Sequence, residues 1–341
     1  MSPRAADPFT WQDGDRLIAF GRGRVDDAAE LLGDAFVLLT TPRSAGAARP
    51  VPERAGAVIE VPRGRVDEIS GELLDELARP ADGRLVALGG GRVVDVAKSL
   101  ASGWAEEDER WAQRVAAVPT TLSAAEMTGL HRRASGREGP LVRPTLVLND
   151  PALSASQPAA ELAASALNAL GHAFEAPLTL SANPVATLVA QEAARLLVGA
   201  WDATDPGSGE RDQLALGALL SGYAVGEAGY GLHHVMSQTL ARYTDAGHGP
   251  ANAIMLPHTT RALERRAPER VAALGTAIGD DPVSAAAALA ARTGATRLRD
   301  VGVSEGQLAE CADAAARRPE LAYTPPAADR SELLALYETA W

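Results

Sequence analysis

The pattern of apolar and polar positions changes character near residue 152. Before it, short apolar runs alternate with stretches of helical spacing. Phe36-Val37-Leu38-Leu39-Thr40, Ala57-Val58-Ile59-Glu60-Val61, Leu85-Val86-Ala87-Leu88, Val115-Ala116-Ala117-Val118 and Leu146-Val147-Leu148 read as strands, with helical periodicity over 25–32, 65–77 and 93–102. Alternating β and α units predict a doubly wound, largely parallel sheet whose ligands bind beyond the carboxyl ends of the strands. After Asp150-Pro151 the chain turns alanine-rich and helical, with helices expected over 159–175, 183–200, 211–226, 232–242, 282–291 and 304–315. Breakers such as Asp205-Pro206-Gly207-Ser208-Gly209 punctuate them. The expected fold class is therefore an α/β N-terminal domain over 1–152 followed by an all-α C-terminal domain over 153–341. There is no internal repeat and no heptad run.

Composition narrows the function classes. At 341 residues the chain can form two domains sharing a cleft, and 46% hydrophobic with 22% charged residues is a globular balance. No apolar run reaches transmembrane length, and Met1 to Arg16 lacks a signal-peptide core. A single cysteine, Cys311, fits a cytoplasmic protein without an internal disulfide. A net charge of −12 argues against nucleic acid or an anionic membrane as partner, leaving a small-molecule substrate.

The most informative local feature is Gly89-Gly90-Gly91-Arg92-Val93-Val94-Asp95-Val96-Ala97-Lys98. Its last residue is the only lysine among 32 basic residues. Strand, glycine turn and helix N-terminus together predict an anion site, with free N–H groups and the helix dipole directed at a phosphate. Asp95 and Lys98 follow along the first turns of that helix. An ordinary βα turn with a surface lysine is the competing reading.

Five of the six histidines (His172, His233, His234, His248 and His258) lie in the second half. Asn168 and His172, four apart, share one helix face. His234 stands on another predicted helix, and His248 in a glycine-flanked loop, Gly247-His248-Gly249-Pro250. Three imidazoles and a side-chain oxygen can make a divalent metal site. Against it, Asn168 offers a neutral amide where a carboxylate would offset the charge. Cleft histidines satisfied by hydrogen bonds are the alternative.

The ordered set of motifs resembles the iron-containing alcohol dehydrogenase superfamily, whose fold is shared with dehydroquinate synthase, and most nearly its maleylacetate reductase branch. The resemblance runs through Phe20-Gly21-Arg22-Gly23, the segment 89–98, Pro119-Thr120-Thr121-Leu122-Ser123-Ala124-Ala125-Glu126-Met127-Thr128 and Asn149-Asp150-Pro151. It continues over 165–176, Gly231-Leu232-His233-His234, His248-Gly249-Pro250-Ala251-Asn252-Ala253 and Leu256-Pro257-His258. In the metal-using members the Asn168 position is an aspartate that joins histidines matching His172, His234 and His248 around iron or zinc. The reductases typically have asparagine and work without metal, so the resemblance implies no metal ligand set here.

By the same resemblance, Gly89, Gly90, Gly91, Asp95 and Lys98 bind a dinucleotide, with Thr120 and Thr121 on its ribose and nicotinamide side. Where NADH-preferring relatives carry an aspartate after the first strand, this chain has Thr41, followed by Pro42 and Arg43. A 2′-phosphate is then not repelled, and Arg43 can pair with it, so NADH and NADPH both stay open.

The implied reaction is hydride transfer in the interdomain cleft to a carbonyl, or to an alkene conjugated to one. His172, His234 and His248 are the candidate donors to the developing oxyanion, and Arg132, Arg133, Arg137 or Arg143 the candidate clamps for substrate carboxylates. A solvated arginine-rich loop competes with that clamp. Relatives are commonly dimers, which makes a homodimer the expected assembly.

Several positions depart from the family pattern. Gln238 replaces a histidine four residues after His234, Ala124-Ala125 replace a glycine-serine pair, and Leu122 stands where the reductases tend to have tyrosine. They leave room for an altered substrate, for a lyase or cyclase on the same scaffold, or for a non-redox homologue. A metal-dependent alcohol dehydrogenase is the remaining variant.

Overall fold

The computed structural model describes residues 6–80, 83–201 and 208–341. These residues group into two compact units, one drawn from Met1–Gln157 with Ala203–Leu216, the other from Pro158–Asp202 with Gly217–Trp341. The breaker triplet Asp205-Pro206-Gly207 lies outside the described residues.

The first unit is built on seven strands: β1 (Phe9–Asp13), β2 (Arg16–Phe20), β3 (Phe36–Thr40), β4 (Ala55–Glu60), β5 (Leu85–Gly89), β6 (Val115–Pro119) and β7 (Leu146–Asn149). Their order is β1-β2-β7-β6-β5-β3-β4, all parallel except the β1–β2 pair. That hairpin was not legible as strands in the sequence. Its two-residue loop, Gly14-Asp15, places Gly14 at φ +59°, which suits the first central position of a type II′ turn.

Strands β5, β6 and β7 are buried on both faces while the edge strand β4 is largely exposed, and the period-two rule sorts their side chains. Leu85 and Ala87 of β5 pack with Val115 and Ala117 of β6 in one core layer, and Val86 and Leu88 with Ala116 and Val118 in the other. Helices α1 (Ala28–Leu32), α2 (Pro42–Ala47), α3 (Val66–Glu76) and α4 (Gly91–Ala105) belong to this unit. The chain leaves β3 outward to β4, then returns across β3 to β5. The β3/β5 junction is thus a topological switch point, where an open α/β sheet leaves a crevice at its strand ends. Thr40, at the end of β3, donates its hydroxyl to the Leu88 carbonyl of β5 (2.8 Å).

The second unit holds α5 (Ala159–Glu175), α6 (Pro184–Gly199), most of α7 (Gly209–Ala228), α8 (Leu232–Tyr243), α9 (His248–Arg266), α10 (Pro268–Ile278), α11 (Pro282–Ala291), α12 (Glu305–Ala316) and α13 (Arg330–Ala340). Its main core gathers Val235, Met236 and Leu240 of α8, Ile254 and Met255 of α9, Cys311 of α12 and Leu333 and Tyr337 of α13. Tyr337 is fully buried and donates to the Met236 carbonyl, so it caps this core. None of the described helices is long and apolar enough to cross a membrane.

One expectation needs correction here. His248 does not stand in a loop; it is the first residue of the 19-residue α9. Pro250 falls in the first turn, where backbone N–H groups have no intrahelical partner, so it is tolerated. Pro257 also lies inside the helix. Glycine and proline punctuation hid a helix that core packing of Ala251, Ile254 and Met255 sustains.

Candidate functional site

In the first unit the cofactor candidates collect at the carboxyl ends of adjacent strands. Gly90 caps α4, and the turn is a cradle that side chains would fill. A Cβ at Gly90 would lie 2.8 Å from Thr121 Cγ2, and one at Gly91 2.9 Å from Ser123 Cβ. A Cβ at Gly89 would strike Val93 at 2.6 Å. Backbone therefore faces outward at the helix N-terminus, the arrangement suited to a pyrophosphate.

Thr41 caps α2 and its hydroxyl bonds Ser44 Oγ at 3.1 Å; Ser44 Oγ in turn meets Thr120 Oγ1 at 3.2 Å. A hydroxyl chain thus links the ends of β3 and β6. The hydroxyl of Thr121 is buried with no hydrogen-bond partner among the described residues, so it is left for a ligand. These observations fit a dinucleotide. Arg43, two residues after Thr41, is exposed.

Two expectations change. Lys98 is fully buried, and its ammonium is engaged by the Ala125, Thr128 and Leu130 carbonyls and by Asp95 (2.8 Å). Its ammonium is therefore committed to three carbonyls and one carboxylate of the protein. Arg132 and Arg133 are exposed, and Arg133 Nε donates to the Gly139 carbonyl (2.6 Å). They sit on the loop after β6, in the first unit.

In the second unit α5, α8 and α9 bring four imidazoles together. The His172 and His234 rings stack with centroids 4.4 Å apart and 16° between planes, and His233 meets His234 edge-on. Gly171 makes this possible: a Cβ there would lie 2.6 Å from His233 Nε2. Glu175, wholly buried on α5, accepts from the backbone N–H of His233 (2.6 Å) and from His234 Nδ1 (2.8 Å). It thereby satisfies an orphan donor of the α8 N-terminus and fixes the His234 proton on Nδ1.

Asn252, which carried no role in the sequence reading, joins the network. It lies one helical turn beyond His248, a spacing that could have flagged it. Its Nδ2 donates to Asn168 Oδ1 (2.9 Å) and to His248 Nε2 (3.2 Å), and its Oδ1 accepts from His233 Nε2 (2.7 Å).

Burial dominates the electrostatics. It pushes the imidazoles of His233 and His234 down to about 3 and His172 well below its ordinary value, each helped by neighbouring histidines. All three are neutral near pH 7. His172 Nδ1 and His234 Nε2 are buried without a hydrogen-bond partner among the described residues.

A divalent cation fits this arrangement poorly. Among the described residues no group of three or more His, Cys, Asp or Glu side chains is disposed to hold one. The Asn252 amide, a donor, already points at Asn168 and His248.

Gln238, one turn beyond His234, accepts from Arg318 Nη2 (3.2 Å). The same guanidinium bonds the Tyr230 hydroxyl and pairs with Glu320 (2.7 Å). Neither Tyr230 nor Arg318 carried a sequence signal, because they come from irregular segments far apart in the chain.

Residues 162–341 match the family described as Fe-containing alcohol dehydrogenase family, C-terminal. The chain is 31% identical to maleylacetate reductase from Pseudomonas aeruginosa over 93% of its own length and 92% of that protein's. It is 32% identical to 1,3-propanediol dehydrogenase from Klebsiella pneumoniae over 58% of its length and 55% of that protein's. The crystal structure of maleylacetate reductase from Agrobacterium tumefaciens superposes with a TM-score of 0.81 at 28% identity, covering 98% of this chain and 99% of that one.

Proposed function

The chain belongs to the iron-containing alcohol dehydrogenase family, and on that footing we propose that it is a metal-independent NAD(P)H-dependent reductase of maleylacetate-like enones or oxo acids. Family membership supports NAD(P)-dependent oxidoreductase activity. The substrate class and the independence from metal are the proposal, and one observation carries the second. The Asn252 amide donates to Asn168 and to His248, so positions that hold a cation in other members form a neutral hydrogen-bond network here.

In this reading the glycine turn holds the pyrophosphate, and Thr120 and Thr121 hold the ribose and nicotinamide side. When bound, the nicotinamide supplies hydride to an electron-poor carbon. His172 Nδ1 and His234 Nε2 are the imidazole nitrogens left for a substrate oxygen. Because His234 carries its proton on Nδ1 toward Glu175, its Nε2 accepts a hydrogen bond, as the hydroxyl form of such an oxygen requires. This narrows the expectation that all three histidines donate. Of the two nitrogens only His172 Nδ1 stays open as a donor to the developing oxyanion, and one preorganised donor is worth roughly 3 kcal/mol of barrier.

The test is a titration with NADH and NADPH followed by nicotinamide fluorescence, with maleylacetate then added. Binding followed by cofactor oxidation supports the reading; binding without oxidation removes the substrate assignment. A metal-dependent alcohol dehydrogenase is the second reading, favoured by the two unpartnered imidazole nitrogens. Stoichiometric iron or zinc in the active protein would establish it instead.

A further inference from the structure

We propose that Lys98 is a positioning residue that straps the segment after β6 onto α4 and so holds Thr120 and Thr121 against the glycine turn. The proposal rests on reading that turn and those threonines as the cofactor site. Lys98 is 0% exposed, and its Nζ lies 2.9 Å from the Ala125 carbonyl, 3.2 Å from that of Thr128 and 3.0 Å from that of Leu130. Asp95, one turn earlier on the same helix, completes the cage at 2.8 Å. An ammonium has three rotatable donors on a compact centre and can serve acceptors gathered around a point. A guanidinium is planar and larger and cannot. This accounts for a lysine at the one place where a chain otherwise rich in arginine keeps it.

The same segment touches α4 at its other end. The glycine turn leaves no room for a Cβ against Thr121 or Ser123. Helix α4 therefore grips the segment twice, through Lys98 about two turns in and through the bare backbone of Gly90 and Gly91 at its start. Arg16 adds a contact to the same stretch, donating to the Glu126 carbonyl at 3.4 Å. With the strap released, the threonines lose their fixed distance from the turn, and a cofactor must order them on binding.

Because Lys98 is the only lysine, amine acetylation located by peptide mass spectrometry reports on it directly, apart from the α-amino group, which falls in a different peptide. In the native protein Lys98 should stay unmodified with or without NADPH, and become modified in urea. Ready modification in the free protein that NADPH suppresses would overturn the proposal and make Lys98 a phosphate ligand. The second measurement uses Lys98→Arg, which keeps the charge. Amides 125–130 should exchange hydrogen faster, and NADPH should bind more weakly, each by on the order of tenfold. Unchanged exchange together with unchanged affinity would overturn the strap. If the wild-type protein binds neither NADH nor NADPH, the cofactor reading fails, while acetylation and exchange still decide where Lys98 sits. If the variant does not fold, acetylation of the wild type decides alone.

Discussion

In the proposed function, the glycine turn of the first unit and the imidazole cluster of the second hold a polar ligand in opposite ways. The turn does it with backbone: three consecutive glycines, a helix N-terminus and neighbours packed so closely that no side chain fits. The cluster does it with side chains from three helices, each locked by another, as Glu175 locks His234 and Asn252 links His233, His248 and Asn168. A backbone site depends on shape and should fail when atoms are added. A side-chain network depends on reciprocal satisfaction and should fail when atoms are removed.

The largest effect is expected from Glu175→Ala. It leaves the His233 N–H and His234 Nδ1 without their acceptor in a dry interior, and stability should fall by about 3–5 kcal/mol in denaturant melts. A loss under about 1 kcal/mol would mean that the network does not hold the cluster.

Gly90→Ala probes the other site by addition. The new methyl meets Thr121 Cγ2 at 2.8 Å, and overpacking of about 1–3 kcal/mol should appear mainly as a weaker NADPH dissociation constant. Unaltered affinity would show that the turn has slack.

The pH dependence should separate the buried imidazoles from the buried carboxyls by sign, burial lowering the former and raising both Glu126 and Glu175. His172, His233 and His234 have depressed folded-state values, so their stabilising contribution is present above about 6.5, the ordinary histidine value. It is lost as pH falls toward about 3, the value to which His233 and His234 are pushed. In the first unit, burial raises the fully enclosed Glu126 to about 7, despite Lys98 and Arg16 nearby. Its contribution is present below the ordinary carboxylate range and is lost as pH rises through about 7. Glu126→Gln should reduce the alkaline loss, leaving the share of the likewise raised Glu175, and should leave the acidic part unchanged, as read by thermal melts across pH 4–9.

The smallest effect is expected from chelation. Treatment with EDTA should change reductase activity by less than about twofold, since no step is assigned to a cation. Asn168→Asp supplies the missing charge and should raise zinc or iron retention measured by elemental analysis. Retention no higher than in the parent protein would show that the Asn252 amide alone suffices to exclude the cation.

Legibility followed locality. The five strands β3 to β7, the glycine turn and most helices were readable because strand period, helix period and breaker chemistry are written within a few residues. The β1–β2 hairpin was not, since Phe9 to Phe20 mixes charges with apolar residues and gains its strand character by pairing with β7. The start of α9 was hidden by Gly247, Gly249 and Pro250. The histidines could be named, but not their division of labour, because Asn252 and Glu175 act on them across 19 and 59 positions of sequence.

The sequence by itself determined the order of α/β and helical parts, the glycine turn at a helix N-terminus, and the neutral amide at Asn168. It also singled out Lys98. Only the tertiary structure decided what that lysine does, because its role depends on which carbonyls surround it, and a sequence pattern specifies which face of a helix a residue is on, not what lies against that face. The same holds for the tautomer of His234: burial sets its neutrality, and the one acceptor beside Nδ1 sets which nitrogen is left for chemistry.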